Sequence, residues 1–258
     1  MFNAVKAKND CVQWIRDWFE ANGKDCNAII GISGGKDSSV VAALCVEALG
    51  KDRVYGIRMP NGYQADIEDA KAVCKYLEIH SFDCDIQKAY DAICKEIGWA
   101  ICAMSDLKVS EPSVQTKINL PPRIRMATLY AVSQSLNGRV VGTDNASEAY
   151  IGYSTRWGDN VADLMPILHF TSEEVVAIGD ALGLPYELTH KTPSDGLCGK
   201  TDEDNFGFTY EVLNKYILTG VCEDKEVKAK IDNLHNKNLF KTQPIPSFVP
   251  MGVRDDDI

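Results

Sequence analysis

The chain has 258 residues with 45% hydrophobic and 25% charged content, enough for one sizeable α/β domain with a full core. Its 37 acidic against 27 basic residues leave a net charge of −10, which argues against a nucleic-acid binder, because neutralising phosphates needs a basic face. Nine scattered cysteines form no Cys-x-x-Cys pair and no apolar run reaches membrane-spanning length, so a cytoplasmic protein with free thiols and no membrane partner is expected.

In chain order, residues 2–21 carry Val12, Ile15, Trp18 and Phe19 at helical spacing, the stripe of an amphipathic helix. Asn27-Ala28-Ile29-Ile30 reads as a buried strand, and 40–50 as a helix ended by Gly50. Between them lies Gly31-Ile32-Ser33-Gly34-Gly35-Lys36-Asp37-Ser38-Ser39. A loop at this place presents unpaired N–H groups and the positive end of a helix dipole, the outline of a phosphate site. It is not a Walker A loop, which needs a glycine where Ile30 stands and a Ser or Thr where Asp37 stands. An acid beside bound phosphate repels it unless a cation lies between them, so Asp37 implies Mg²⁺.

Residues 54–59 form a second apolar strand, 64–77 a helix, 80–83 a third strand and 86–103 another helix. Residues 104–118 have weak periodicity and read as an exposed connection. A helix then opens at Asn119 and runs to about 136, with Pro121 and Pro122 near its first turn, where a missing N–H costs little. Residues 139–143 are a fourth strand, and helices near 173–182, 210–218 and 224–235 complete the pattern. Strands alternating with helices predict a parallel central sheet with helices on both faces, a Rossmann-like α/β fold, in one domain spanning 1–258. Ligands of such sheets bind beyond the C-terminal strand ends, where the 33–39 loop and Arg58 both fall.

A second dense cluster follows the fourth strand: Gly142-Thr143-Asp144-Asn145-Ala146-Ser147-Glu148, then Gly152-Tyr153-Ser154-Thr155-Arg156-Trp157-Gly158-Asp159. Taken alone, it is as well read as a polar loop with Asp144 capping a helix. Its position on the same sheet edge as the 33–39 loop favours a site, in which Asp37 and Glu148 share Mg²⁺.

Ser-Gly-Gly-x-Asp-Ser-Ser resembles the pyrophosphate loop of the ATP pyrophosphatases. Four further blocks resemble the NAD synthetase family: the Gly142–Asp159 run, Asn119-x-x-x-Arg123-x-Arg125-Met126, Pro193-Ser194-Asp195-Gly196-Leu197, and Thr201-Asp202-Glu203-Asp204-x-x-Gly207-Phe208-x-Tyr210. The resemblance implies an adenine nucleotide alpha-hydrolase-like fold and amidation of nicotinic acid adenine dinucleotide (deamido-NAD). The nicotinate carboxylate attacks the α-phosphorus of ATP, pyrophosphate leaves, and ammonia displaces AMP from the adenylate.

By that resemblance Gly31, Ile32, Ser33, Gly34, Gly35, Lys36, Asp37 and Ser38 hold the triphosphate, Lys36 through its backbone. Arg58 and Thr143 contact the AMP part and Ser194 contacts phosphate. Asp37 and Glu148 bind Mg²⁺, and Asp159 lies near the ammonia site. Asn119, Arg123, Arg125, Arg156, Asp163 and Lys241 hold the deamido dinucleotide; for Arg123 and Arg125 the competing reading is a solvated helix face. The pattern departs at Ser172, where relatives carry a phosphate-binding lysine, with Lys191 as the candidate substitute. It departs again at Phe240-Lys241, where a histidine is lost. No separate glutaminase segment is evident, so ammonia is the expected nitrogen donor, and a homodimer is implied. The alternatives are another adenylylating ATP pyrophosphatase, or a non-catalytic adenine-nucleotide-binding protein.

Overall fold

The computed structural model describes residues 2–64, 67–103, 111–190 and 202–248. Four strands, β1 (Asn27–Gly31), β2 (Val54–Arg58), β3 (His80–Asp83) and β4 (Gly138–Val141), form one parallel sheet in the order β3-β2-β1-β4. The chain begins at the centre, steps outward to β3, then returns to place β4 on the other side of β1. The order therefore reverses between β1 and β4, and a crevice opens there at the strand ends.

The helices are α1 (Ala4–Gly23), α2 (Lys36–Leu49), α3 (Ile67–Tyr76), α4 (Gln87–Cys102), α5 (Val114–Ser135), α6 (Ala146–Ile151), α7 (Ser172–Ala181), α8 (Tyr186–Thr189), α9 (Asp202–Phe206), α10 (Tyr210–Thr219) and α11 (Lys225–Asn238). Side chains alternate across β1. Ala28 and Ile30 enter the largest core cluster with Ile15 and Phe19 of α1, Val40 and Leu44 of α2, and Val175 and Ile178 of α7. Ile29 faces the other way, with Ile57 and Met59, against Ile124, Leu129 and Val132 of α5. A third cluster joins Ile151 of α6 to Leu213 of α10 and Ile231 of α11. Helices thus cover both faces, as expected, and among the described residues none is long and apolar enough to cross a membrane.

β4 would be an open edge, but the segment after the second motif closes it. Asp163 donates its N–H to the Val140 carbonyl and accepts the Val140 N–H on Oδ2 at 2.7 Å, while Leu164 bridges Val141 in parallel.

One helix begins earlier than the sequence suggests. α5 starts at Val114, N-capped by the Ser113 hydroxyl, which accepts the Thr116 N–H. Residues 114–118 are therefore helical rather than connecting, and Pro121 and Pro122 lie inside the helix. Two intrahelical N–H donors are lost there, an arrangement that costs roughly 3 kcal/mol per proline in an isolated helix. Tertiary packing decides the outcome: Pro121 is buried, and Gly158 approaches Pro122 so closely that a Cβ on the glycine would lie 2.9 Å from the ring.

Candidate active site

The 33–39 loop leaves β1 and enters α2 through Gly35, which has no side chain to cap the first turn. Gly34 adopts φ +85°, and a Cβ there would come within 2.8 Å of the Ala70 backbone nitrogen, so the loop lies tightly against α3. Serine hydroxyls fix its shape from within. Ser33 Oγ accepts the Gly35 N–H at 3.1 Å and lies 3.1 Å from Ser38 Oγ, which also accepts the Ser33 N–H. Ser39 Oγ donates to the Gly35 carbonyl at 2.7 Å. In this state Ser33 and Ser38 preorganise the loop.

Asp37 stands at the first turn of α2. Its Oδ1 accepts a hydrogen bond from Asn145 Nδ2 at 3.0 Å, and its Oδ2 from Lys36 Nζ at 2.9 Å. Asn145, fully buried, is the link between the two motifs. It N-caps α6 by accepting the Ser147 and Glu148 N–H groups, and the Glu148 side chain returns to the Asn145 N–H in a capping box. The helix cap is thus Asn145, not Asp144. Asp144 is buried in the site, where burial first, then Asp159 and Asp37, hold its carboxyl well above the usual carboxylate range. Burial and the Asp37 charge raise Glu148 likewise, partly offset by Lys36.

Among the described residues no three His, Cys, Asp or Glu side chains form a ready metal cluster. The acids nevertheless fit Mg²⁺. Asp37 and Glu148 repel one another in a partly buried setting, and Mg²⁺ takes few protein carboxylates, filling its shell with phosphate and water oxygens.

Beside this cluster, in the β1–β4 crevice, lies a cavity of about 140 Å³ lined by Gly31, Arg125, Gly142, Thr143, Gly158 and Asp159 among others. The structure therefore brings Thr143 and Asp159 together with the start of the phosphate loop. Arg125 enters the same cavity from α5 and donates from Nε to the Met59 carbonyl at 3.0 Å; burial lowers its pKa, Asp159 raises it.

The other expected dinucleotide residues surround the 152–160 loop. Thr155 donates its hydroxyl to Asn119 Oδ1 at 3.1 Å and its N–H to Asp159 Oδ1 at 2.6 Å. Arg123 Nε reaches the Arg156 carbonyl at 3.3 Å, and the Arg156 guanidinium lies over the Trp157 and Phe240 rings. Lys241 donates to the carbonyls of Gly152 at 2.7 Å and Ser154 at 2.9 Å. Trp157 takes φ +64°, its N–H held by Asn160 Oδ1 at 2.9 Å.

Three further positions are held by partners within the fold. Asp163 Oδ2 accepts the Val140 N–H at the edge of β4, and its Oδ1 accepts from the Tyr130 hydroxyl at 3.3 Å. Arg58 is buried at the end of β2 and paired with Asp83, its partner in the strand register. Ser172 is buried at the start of α7. Its N–H reaches Ser147 Oγ at 3.0 Å, and Asn214 joins both serines, so the three tie α6, α7 and α10 together. Ser194 and Lys191 lie outside the described residues. Asp144 and Asn145 are the functional candidates that motif spacing passed over; the signal was an acid and an amide in succession, with a glutamate three residues on.

A family model described as NAD synthase matches residues 7–248. The NH(3)-dependent NAD(+) synthetase of Finegoldia magna is 38% identical over 249 residues, covering 95% of this chain and 97% of that protein. Among solved structures, NMN synthetase from Francisella tularensis superposes with TM-score 0.83 at 31% identity, covering 97% of this chain and 100% of that one. NH3-dependent NAD synthetase from Campylobacter jejuni superposes with TM-score 0.74 at 27% identity over 97% and 100% of the two chains.

Proposed function

The chain belongs to the NAD synthase family, and on that premise we propose that the β1–β4 crevice joins ammonia to the nicotinate carboxyl of deamido-NAD at the expense of ATP. The enzyme is a ligase that makes NAD with ammonia as nitrogen donor. The single observation that carries the site reading is the Asp37–Asn145–Glu148 linkage, which joins the phosphate loop to the second acidic motif.

In this reading the 33–39 loop holds the triphosphate, its glycines allowing close approach and Gly35 leaving the first turn of α2 without a side-chain cap. Asp37 and Glu148 hold Mg²⁺, which when bound draws charge from the phosphate oxygens and stabilises the departing pyrophosphate. Thr143 and the cavity wall from Gly31 receive the AMP part. Arg125, aimed into the same cavity, orients the nicotinate carboxylate toward the α-phosphorus. Asp159 is placed to hold the incoming nitrogen and accept its proton as the amide forms. Asn119, Arg123, Arg156 and Lys241 shape the 119–160 wall on which the dinucleotide rests. The whole chain acts as one catalytic unit in the reducing cytoplasm. Ile93 and Trp99 on α4 and Val114 and Ile118 on α5 leave an exposed apolar face, which a second copy of the chain covers in a homodimer; sedimentation analysis tests this.

The likeness to an NMN synthetase favours a second reading, in which the amidated acid is the mononucleotide. The test is purified protein with ATP, Mg²⁺ and ammonium, given deamido-NAD or the nicotinic acid mononucleotide, with glutamine replacing ammonium as a control. NAD and AMP in equal amounts from the dinucleotide with ammonium establish the first reading. NMN made more efficiently than NAD establishes the second, and no amide from either acid refutes both.

A further inference from the structure

Lys36 is a lysine at a helix start whose side chain is only 7% exposed. It runs inward between the first turn of α2 and the buried Tyr210 of α10, with Nζ 5.8 Å from the Tyr210 ring centroid. Its ammonium lies 2.9 Å from Asp37 Oδ2, a carboxylate oxygen that a bound metal would also seek. Two acids act on it directly: Asp37 pairs with it, and Glu148 lies close enough for the Lys36 charge to favour its ionised form. A buried charge needs a partner of opposite sign, and here two carboxylates, Asp37 and Glu148, face one ammonium. Two cations cannot share one carboxylate oxygen without repelling each other, while a lysine's four-carbon stem lets its charge move several ångströms.

We propose that Lys36 is the resident cation of the Asp37–Glu148 pair, and that metal-bound ATP displaces its ammonium from Asp37 Oδ2 onto the phosphate oxygens held by the 33–39 loop. The proposal rests on reading Asp37 and Glu148 as metal ligands. It gives Lys36 two tasks: its charge keeps the carboxylates compatible in the nucleotide-free protein, and its release couples metal binding to phosphate binding. The protein thereby resists divalent ions until they arrive with nucleotide.

Mn²⁺ binding followed by electron paramagnetic resonance tests this on wild type, Lys36→Met, Lys36→Arg and Asp37→Asn, with and without ATP. Thermal melts accompany each variant, and Lys36→Gln replaces Lys36→Met if that variant does not fold. Without nucleotide, Lys36→Met binds Mn²⁺ about tenfold more tightly than wild type, the order expected when a competing charge leaves a partly buried site. With ATP present, the same variant binds Mn²⁺·ATP about tenfold more weakly, and Lys36→Arg stays near wild type in both assays. Unchanged or weaker Mn²⁺ binding by Lys36→Met, or unchanged Mn²⁺·ATP affinity, overturns the proposal. Asp37→Asn separates the two ideas: its loss of Mn²⁺ binding upholds the metal reading, whereas wild-type binding by that variant removes the metal reading itself.

Discussion

The two sides of the crevice, one that we read as holding phosphate and one that we read as holding the dinucleotide, both carry many charged residues, yet they use them in opposite ways. On the phosphate side Asp37, Asp144 and Glu148 crowd together, and the pKa values of Asp144 and Glu148 are pushed upward. On the dinucleotide side the cations are spent on carbonyls: Lys241 on Gly152 and Ser154, Arg123 on Arg156, Arg125 on Met59. Electrostatic tension marks a place that waits for ligands. On the second side these hydrogen bonds hold shape, while Ser154 Oγ and Arg156 Nε lie buried with no hydrogen-bond partner among the described residues. In the proposed reading, acids on the first side govern chemistry, and cations on the second shape the wall that the substrate meets.

The sharpest way to break this contrast is to neutralise the acids. Asp37→Asn and Glu148→Gln should each lower kcat by on the order of 10²-fold or more, in steady-state assays of NAD formation, with the melting temperature held or raised. A normal rate in either variant would end its metal role. Lys241→Met should do the reverse. It removes two hydrogen bonds to backbone carbonyls, costing about 1–3 kcal/mol of stability, and should raise KM for the dinucleotide about tenfold while kcat changes little.

Ser172 sharpens the comparison from outside the crevice. Its buried place with Ser147 and Asn214 predicts that Ser172→Ala loses about 1 kcal/mol in denaturant unfolding without moving KM for ATP. Ser172→Lys should be far less stable rather than a better ATP binder, since the site has no room for an unpaired charge. A gain in ATP affinity would show that the position faces the phosphates after all.

The smallest effect is a pH dependence. Raised carboxyl pKa values mean that the folded protein keeps protons the unfolded chain has already lost. Stability therefore falls as pH rises from the ordinary carboxylate range through the raised values. The nucleotide-free protein should lose melting temperature as pH rises above the ordinary carboxylate range, Mg²⁺ should narrow the loss, and Glu148→Gln should lessen it, as scanning calorimetry would show.

Much of this molecule was legible in its residues. β1 and β2 are short apolar runs and β4 ends in one, whereas β3 is exposed throughout; it is the alternation of strands with helices that predicts the parallel sheet. The 33–39 loop stands out in the sequence because Asp37 stands where a Walker loop would place a hydroxyl, and the fold puts it at the turn from β1 into α2. Other features depended on partners distant in sequence. Val114 and Ile118 belong to α5, but the prolines that follow look like a helix start, and only the packing against Gly158 shows why they are tolerated inside one. Arg58 answers to Asp83 across the register of two strands. Asp144 and Asn145 are adjacent in sequence with opposite tasks, one an acid in the site and one a cap that reaches Asp37 108 positions away. Spacing locates such a cluster; it does not say which side chain turns inward.

The central claim, that the acids make the chemistry while the dinucleotide wall is independent of them, is tested most directly on Glu148→Gln. Calorimetry should give a dinucleotide affinity within about twofold of wild type, while pyrophosphate release in a single turnover falls by on the order of 10²-fold or more. Equal losses of binding and turnover, or unimpaired pyrophosphate release, would contradict it.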